Sequence, residues 1–198
     1  MATVRPGDAA NAIHVLQALG DSVTLLDGRC CGQPAFNSGF RDEARDAGRQ
    51  LLKAGQPFEA VVVTSGSCTS YLAAHPNLTS LALRLDGVVA YHDSCHTRRE
   101  LGVSHIVLSL LARIHGLEVR RLLHEEECCG FGGTFAIKQP EVSVAMLTSK
   151  LDDISLSGAR VVVSADFSCL AHIQSGAAGM GVQLEAWSLP ELLARALE

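Results

Sequence analysis

Seven cysteines dominate the chemistry this chain can offer. Two adjacent pairs, Cys30-Cys31 and Cys128-Cys129, are each followed by a glycine, Gly32 and Gly130, and each has a single cysteine further on, Cys68 and Cys169. Cys95 precedes the second pair, so the second set reads C-x32-CC-x39-C. Four thiols gathered by folding can bind a tetrahedral zinc ion or an iron–sulfur cluster. Adjacent side chains point in different directions, so both sulfurs of a pair reach one ion only where the backbone turns sharply. Glycine directly after the pair permits that turn. In Cys128-Cys129-Gly130-Phe131-Gly132-Gly133 two more glycines let the backbone approach a bulky inorganic group and offer N–H groups to its sulfurs. The candidate metal ligands are therefore Cys95, Cys128, Cys129 and Cys169, with Cys30, Cys31 and Cys68 as an incomplete twin set. Gly32, Gly130, Gly132 and Gly133 are candidate cofactor-binding positions.

Other chemistries fit less well. Asp93-Ser94-Cys95-His96 places an acid and an imidazole beside a thiol, but triad geometry is assembled in space and seldom from sequence neighbours. The acids Glu125-Glu126-Glu127 before the second pair are expected to raise a nearby thiol pKa instead of activating it. Gly130–Gly133 lacks both the Lys-Ser/Thr ending of a phosphate loop and the spacing of a dinucleotide fingerprint. His92 and His96 flank Cys95 as candidate donors around the ligands. Arg98-Arg99 and Arg120-Arg121 read as solvated charges able to offset the negative charge of a thiolate-bound cluster. No catalytic acid–base residue is expected, the cofactor carrying the chemistry.

Composition narrows the class. The 198 residues are 47% hydrophobic and 19% charged with a formal charge of −5, which excludes a disordered chain and argues against nucleic acid as the main partner. No apolar run approaches the roughly 20 residues a membrane span needs. The opening Met-Ala-Thr-Val-Arg-Pro-Gly-Asp has no apolar signal core, so a cytoplasmic, reducing location is expected, where cysteines serve metal or redox chemistry more often than disulfides.

Short β-rich runs alternate with helical stretches. Strands are predicted at Ser22–Leu26, Ala60–Thr64, Val88–His92, Leu117–Leu122, Arg160–Ser164 and Val182–Ala186. Helices are predicted at Asp8–Leu19, Arg41–Lys53, Val103–His115, Glu141–Asp153 and Pro190–Leu197. This alternation implies an α/β fold with a parallel sheet covered on both faces, the cysteines lying at or just past the carboxyl ends of strands.

The Cys-Cys-Gly unit recurs 98 residues later, and the downstream single cysteine follows at 37 and 40 residues. The chain thus reads as two pseudo-symmetric copies of one Rossmann-like unit, residues 1–86 and 87–198. Shifting Cys95 back by the same offset falls before Met1, so the first copy lacks its opening strand and first cysteine. A start codon assigned too late is the favoured explanation.

At these motifs the chain resembles the cysteine-rich CCG-domain family. The residues that carry the resemblance are Cys30-Cys31-Gly32-Gln33-Pro34-Ala35-Phe36-Asn37-Ser38-Gly39, Ser65-Gly66-Ser67-Cys68, Tyr91-His92-Asp93-Ser94-Cys95-His96 and Cys128–Phe135. The iron–sulfur component of glycolate oxidase and the cysteine-rich component of heterodisulfide reductase are more distant members. The resemblance implies an iron–sulfur subunit, with a 4Fe-4S cluster and zinc in one site of some relatives. It further implies electron transfer in an L-lactate (2-hydroxy acid) oxidising complex whose partner subunits include a ferredoxin-like Fe–S protein. A structural zinc scaffold without redox activity is the alternative. The family's fuller motif ends C-x-x-C, and here Ser65 and Asp166 stand at the first cysteine of that ending.

Overall fold

Alternation decides how the central strand is buried. In β1 (Arg84–Tyr91), Val89 and Tyr91 enter one hydrophobic cluster and Ala90 the other; in β3 (Val161–Ser164), Val163 and Val162 divide in the same way. A strand buried on both faces needs helices on both sides. The structure, a computed structural model, describes residues 6–26, 30–58, 61–63 and 83–197.

The sheet order is β2-β1-β3-β4, with β2 at His115–Arg121 and β4 at Glu185–Ser188, and every pairing is parallel. One face carries α1 (Pro6–Ala18), α4 (Ser104–Leu111) and α8 (Leu189–Ala196), joined through Val15, Leu111 and Leu192. The other carries α6 (Pro140–Leu156) and α7 (Phe167–Gly179), joined through Leu147, Leu151, Leu170 and Ile173. Between these lie the short helices α2 (Gln33–Asn37) and α5 (Phe135–Lys138), and α3 (Arg41–Gly55). No helix among the described residues is long and apolar enough to cross a membrane.

After β1 the chain moves outward to β2, then returns across β1 to β3 and on to β4. The strand order therefore reverses between β1 and β3, and the loops leaving their carboxyl ends part there, which in open α/β sheets opens a ligand crevice. The pairing continues past β1 as His92 N–H donates to the Val163 carbonyl at 2.8 Å, so the crevice floor is tied down.

Four of the six expected strands are present, with β4 displaced by about three residues from Val182–Ala186. Ser22–Leu26 is not a strand, and neither are residues 61–63, while Ala60 and Thr64 lie outside the described residues. Leu25 and Val62 are more than half exposed, so the burial that would hold such strands is not supplied there. The sheet among the described residues thus comes almost entirely from the second copy. The first copy reinforces it with α1, where Ser188 Oγ donates to the buried Asp8 carboxylate at 2.8 Å. The expected helices are all present, though the one expected at Val103–His115 ends at Leu111 and His115 opens β2, and α2, α5 and α7 are additions. Gly176 and Gly179 weaken the helical signal of α7, yet Gly176 is what brings it against α6: a Cβ there would sit 2.4 Å from Leu147 Cδ2.

A buried polar staple fixes the loop that follows β2. Asp153 on α6 accepts from Leu123 N–H at 2.9 Å and His124 N–H at 3.0 Å, and the fully buried Lys150 donates to the His124 carbonyl at 2.6 Å beside Asp153. Replacing Asp153 with Ala strands two amides and an ammonium, and is expected to cost about 3–5 kcal/mol. Asp153→Asn keeps one acceptor and should cost less; urea unfolding of the two variants measures the difference.

Candidate metal centre

Each site element begins where a strand ends. Beyond β1, Ser94 accepts from Thr97 N–H at 3.1 Å and pairs with its hydroxyl at 2.9 Å, turning the chain into a π-helical segment, His96–Glu100, headed by Cys95. Such i→i+5 turns concentrate at functional sites. Beyond β2, the stapled loop delivers Cys128 and Cys129. Beyond β3, Asp166 caps α7 by accepting from Ser168 N–H at 2.9 Å, which puts Cys169 in the first helical turn, where the helix dipole favours a thiolate.

The four second-copy cysteines converge. Cys95, Cys128, Cys129 and Cys169 line one cavity, and the Cys129 and Cys169 sulfurs lie within 4.8 Å of each other. None of the four is in a disulfide, and Cys129 and Cys169 are buried while Cys95 and Cys128 are partly open. Both sulfurs of the doublet join the group because Gly130 adopts φ +89° and its N–H points back at Cys128 Sγ, 3.4 Å away. A Cβ on Gly130 would lie 2.6 Å from the carbonyl oxygen of Ser143, and the Ser143 hydroxyl donates to the Gly130 carbonyl at 2.9 Å. Gly132 and Gly133 line the same cavity, about 210 Å³ in volume.

Protonation is shared across the group. Cys128 is held far below the ordinary thiol range by hydrogen bonds from Cys129 and Cys95 and by the Gly130 N–H, while Cys95 and Cys129, as donors to it, are pushed up. Cys169 is pulled down by its hydrogen bond with Cys129, against its burial, with help from the neighbouring His92 ring. A sulfur-rich donor set of this kind suits zinc or iron and not magnesium or calcium.

The first copy repeats the turn. Gly32 has φ +99°, its N–H is 3.5 Å from Cys30 Sγ, and a Cβ there would lie 2.3 Å from the Ala44 carbonyl oxygen. Cys30 is exposed and Cys31 buried; Cys68 lies outside the described residues.

Three features escape sequence reasoning. Gln33 and Asn37, on α2 of the first copy, line the second copy's cavity beside its four cysteines. Gln33 Nε2 is 3.3 Å from His96 Nε2, and His96 Nδ1 is 3.4 Å from the buried Asp166. The hydrogen bond with Asp166 raises the His96 pKa; burial would raise Asp166, but its bonds with His96 and Ser168 hold it down. The sequence sets His92 beside Cys95, yet one of its ring nitrogens lies within 4.8 Å of the Cys129 and Cys169 sulfurs. The acids also behave differently from expectation. Arg98 binds Glu125 at 3.1 Å and Glu126 at 2.6 Å, Arg121 Nε donates to Glu125 at 2.7 Å, and Ser149 donates to Glu127 at 3.0 Å. Arg98 and Arg121 are therefore engaged charges, with Glu125 and Glu126 bound to arginine and Glu127 to Ser149.

A fold with two cysteine doublets, each closed by a left-handed glycine, defines a repeated cysteine-rich module, and the chain belongs to the CCG cysteine-rich domain family, whose model matches residues 3–73 and 89–174. It is 35% identical to "Lactate utilization protein A" of Macrococcus caseolyticus, covering 94% of this chain and 89% of that protein. The protein of the same name from an Exiguobacterium species is 31% identical over 96% of this chain and 92% of its own length.

The left-handed turn can be tested directly. Gly39 has the same φ of +89° but open space around its missing Cβ, so Gly39→Ala should lose only the conformational cost of about 1–2 kcal/mol. Gly130→Ala adds the collision with Ser143 and should lose more stability, together with metal uptake; thermal unfolding and metal analysis of both variants check this.

Proposed function

We propose that the chain is an iron–sulfur electron-transfer subunit of an L-lactate (2-hydroxy acid) oxidising complex. The observation that carries the reading is the convergence of four thiols from three strand ends on one cavity. The name of its relatives points to lactate as the compound used. In this reading Cys95, Cys128, Cys129 and Cys169 hold the cluster, of 4Fe-4S type, and Gly130, Gly132 and Gly133 keep the backbone close without side chains in its way. Cys30, Cys31, Cys68 and Gly32 form the second site, taking zinc or a second cluster. An iron–sulfur centre accepts and releases single electrons. The chain's own residues set its surroundings: Gly130 N–H faces a sulfur, and the Arg98–Glu125–Arg121 cluster ties the β2 loop to the segment after Cys95. The complex is cytoplasmic, includes a ferredoxin-like Fe–S partner, and receives this chain as two units divided near residues 86 and 87.

The alternative, a zinc scaffold, is favoured by one observation: the Cys129 and Cys169 donor atoms lie close enough to share a single ion with an imidazole. Anaerobic reconstitution separates the two. Uptake of iron and sulfide with a brown chromophore is expected, and Cys129→Ser should abolish the second-copy signal in EPR. Colourless protein holding one zinc per chain and taking up no iron would sink the electron-transfer reading.

A further inference from the structure

The imidazole of His92 is 1% exposed, and neither ring nitrogen finds a nitrogen or oxygen partner. A buried polar group left unsatisfied calls for an explanation, of which a bound ion is one. His92 is not free to turn away. It directly follows β1, with its backbone N–H committed to the Val163 carbonyl at 2.8 Å. From that fixed point a ring nitrogen lies within 4.8 Å of the sulfurs of both Cys129 and Cys169, which are themselves within that distance of each other. The three donors come from the ends of three different strands and form a buried triangle.

Of the other polar side chains near the sulfurs, Asp166 and His96 face each other, although Asp166 Oδ2 is also buried without a well-formed hydrogen bond. Asp166 gives Oδ1 to Ser168 N–H at 2.9 Å and to its hydroxyl at 2.5 Å, and turns Oδ2 toward His96. His96 faces Gln33 through Nε2, and its Nδ1 lies 3.4 Å from Asp166 and 3.9 Å from Cys95 Sγ. His92 is thus a buried imidazole whose nitrogens meet no nitrogen or oxygen partner and lie against the Cys129 and Cys169 sulfurs. We propose that His92 is a direct ligand of the metal held by Cys129 and Cys169, making the centre a mixed sulfur–nitrogen site. This deepens the reading above, since it rests on the sulfurs holding a metal, but it applies equally to zinc and to an iron of a cluster. Imidazole in place of thiolate raises the reduction potential of an iron–sulfur centre, as a neutral ligand removes negative charge. It also leaves a zinc ion with less thiolate character.

The test loads the full-length apo-protein anaerobically with one equivalent of cobalt(II). Sulfur-to-cobalt charge-transfer absorption reports thiolate ligation, and pulsed EPR reports nitrogen bonded to the metal. The wild-type protein should show a strong nitrogen coupling that changes to the 15N pattern when its histidines are 15N-labelled. His96→Gln should keep that coupling and His92→Ala should lose it while the charge-transfer bands persist. Should His92→Ala fail to fold, labelled wild type and labelled His96→Gln still decide. Charge-transfer bands without a histidine coupling, a coupling lost in His96→Gln, or no cobalt uptake would each overturn the proposal. Failure to assemble iron and sulfide alongside an intact His92 coupling to cobalt would instead overturn the electron-transfer reading alone.

Discussion

Two sulfurs on consecutive residues cannot face one cavity unless the backbone reverses directly behind them. Here the reversal is made by Gly130 at φ +89°, and it is locked by the close approach of the Ser143 carbonyl on α6. Neither half works alone. A left-handed residue without the packed helix would be one conformer among several, and the packed helix has no room for a Cβ. Everything else at the centre follows from this turn: the Gly130 N–H is aimed at Cys128, Cys129 passes into the core beside Cys169, and Phe131 is carried over to pack against the His172 ring at 5.6 Å.

The sheet supplies the second constraint. Reversal of strand order between β1 and β3 leaves a gap at their carboxyl ends, and the β2 loop must lean over it to close the site. That loop is polar and would not hold its path unaided. Lys150 and Asp153 fix it from the helix side, and Arg98, gripping Glu125 and Glu126, fixes it from the segment after Cys95. The acids before the doublet serve as anchors for the loop, which explains how three glutamates sit next to a thiolate-prone cysteine without opposing it.

Much of this is legible in the sequence. The repeated doublet and the glycine after it announce both the turn and the convergence, because they depend only on local backbone chemistry and on where strands end. The three strands that lead to the cysteines are readable from apolar runs. What cannot be read are contacts between residues far apart in the chain. Gln33 meeting His96 spans 63 positions and leaves no periodic trace. Helix α7 is obscured because its glycines signal flexibility in isolation, whereas Gly176 is required by the nearness of Leu147. Its start is nonetheless encoded: Asp166 followed by Ser168 is a capping pattern, and Leu170, Ile173 and Ala177 share one buried face. Ser22–Leu26 errs in the opposite direction, since an apolar run makes a strand only where neighbours bury it.

The two copies have kept the same turn and diverged around it. Ala44 and Ser143 offer equivalent carbonyl oxygens to Gly32 and Gly130, but only serine can also bond the glycine carbonyl. The short helix after each doublet has diverged as well. In the first copy α2 is turned toward the second copy's cavity, where Gln33 reaches His96 and, through it, Asp166 at the head of the helix bearing Cys169. Together with α1, which completes one face of the sheet, this makes the first copy part of the wall around the second copy's sulfurs. Among the described residues the duplicated modules are an unequal pair: the second copy carries the sheet and the four gathered sulfurs, and the first covers one face of that sheet and helps to enclose the sulfurs. A residue such as Gln33 is consequently constrained by a site it does not belong to in sequence, through a contact that neither copy could make by itself.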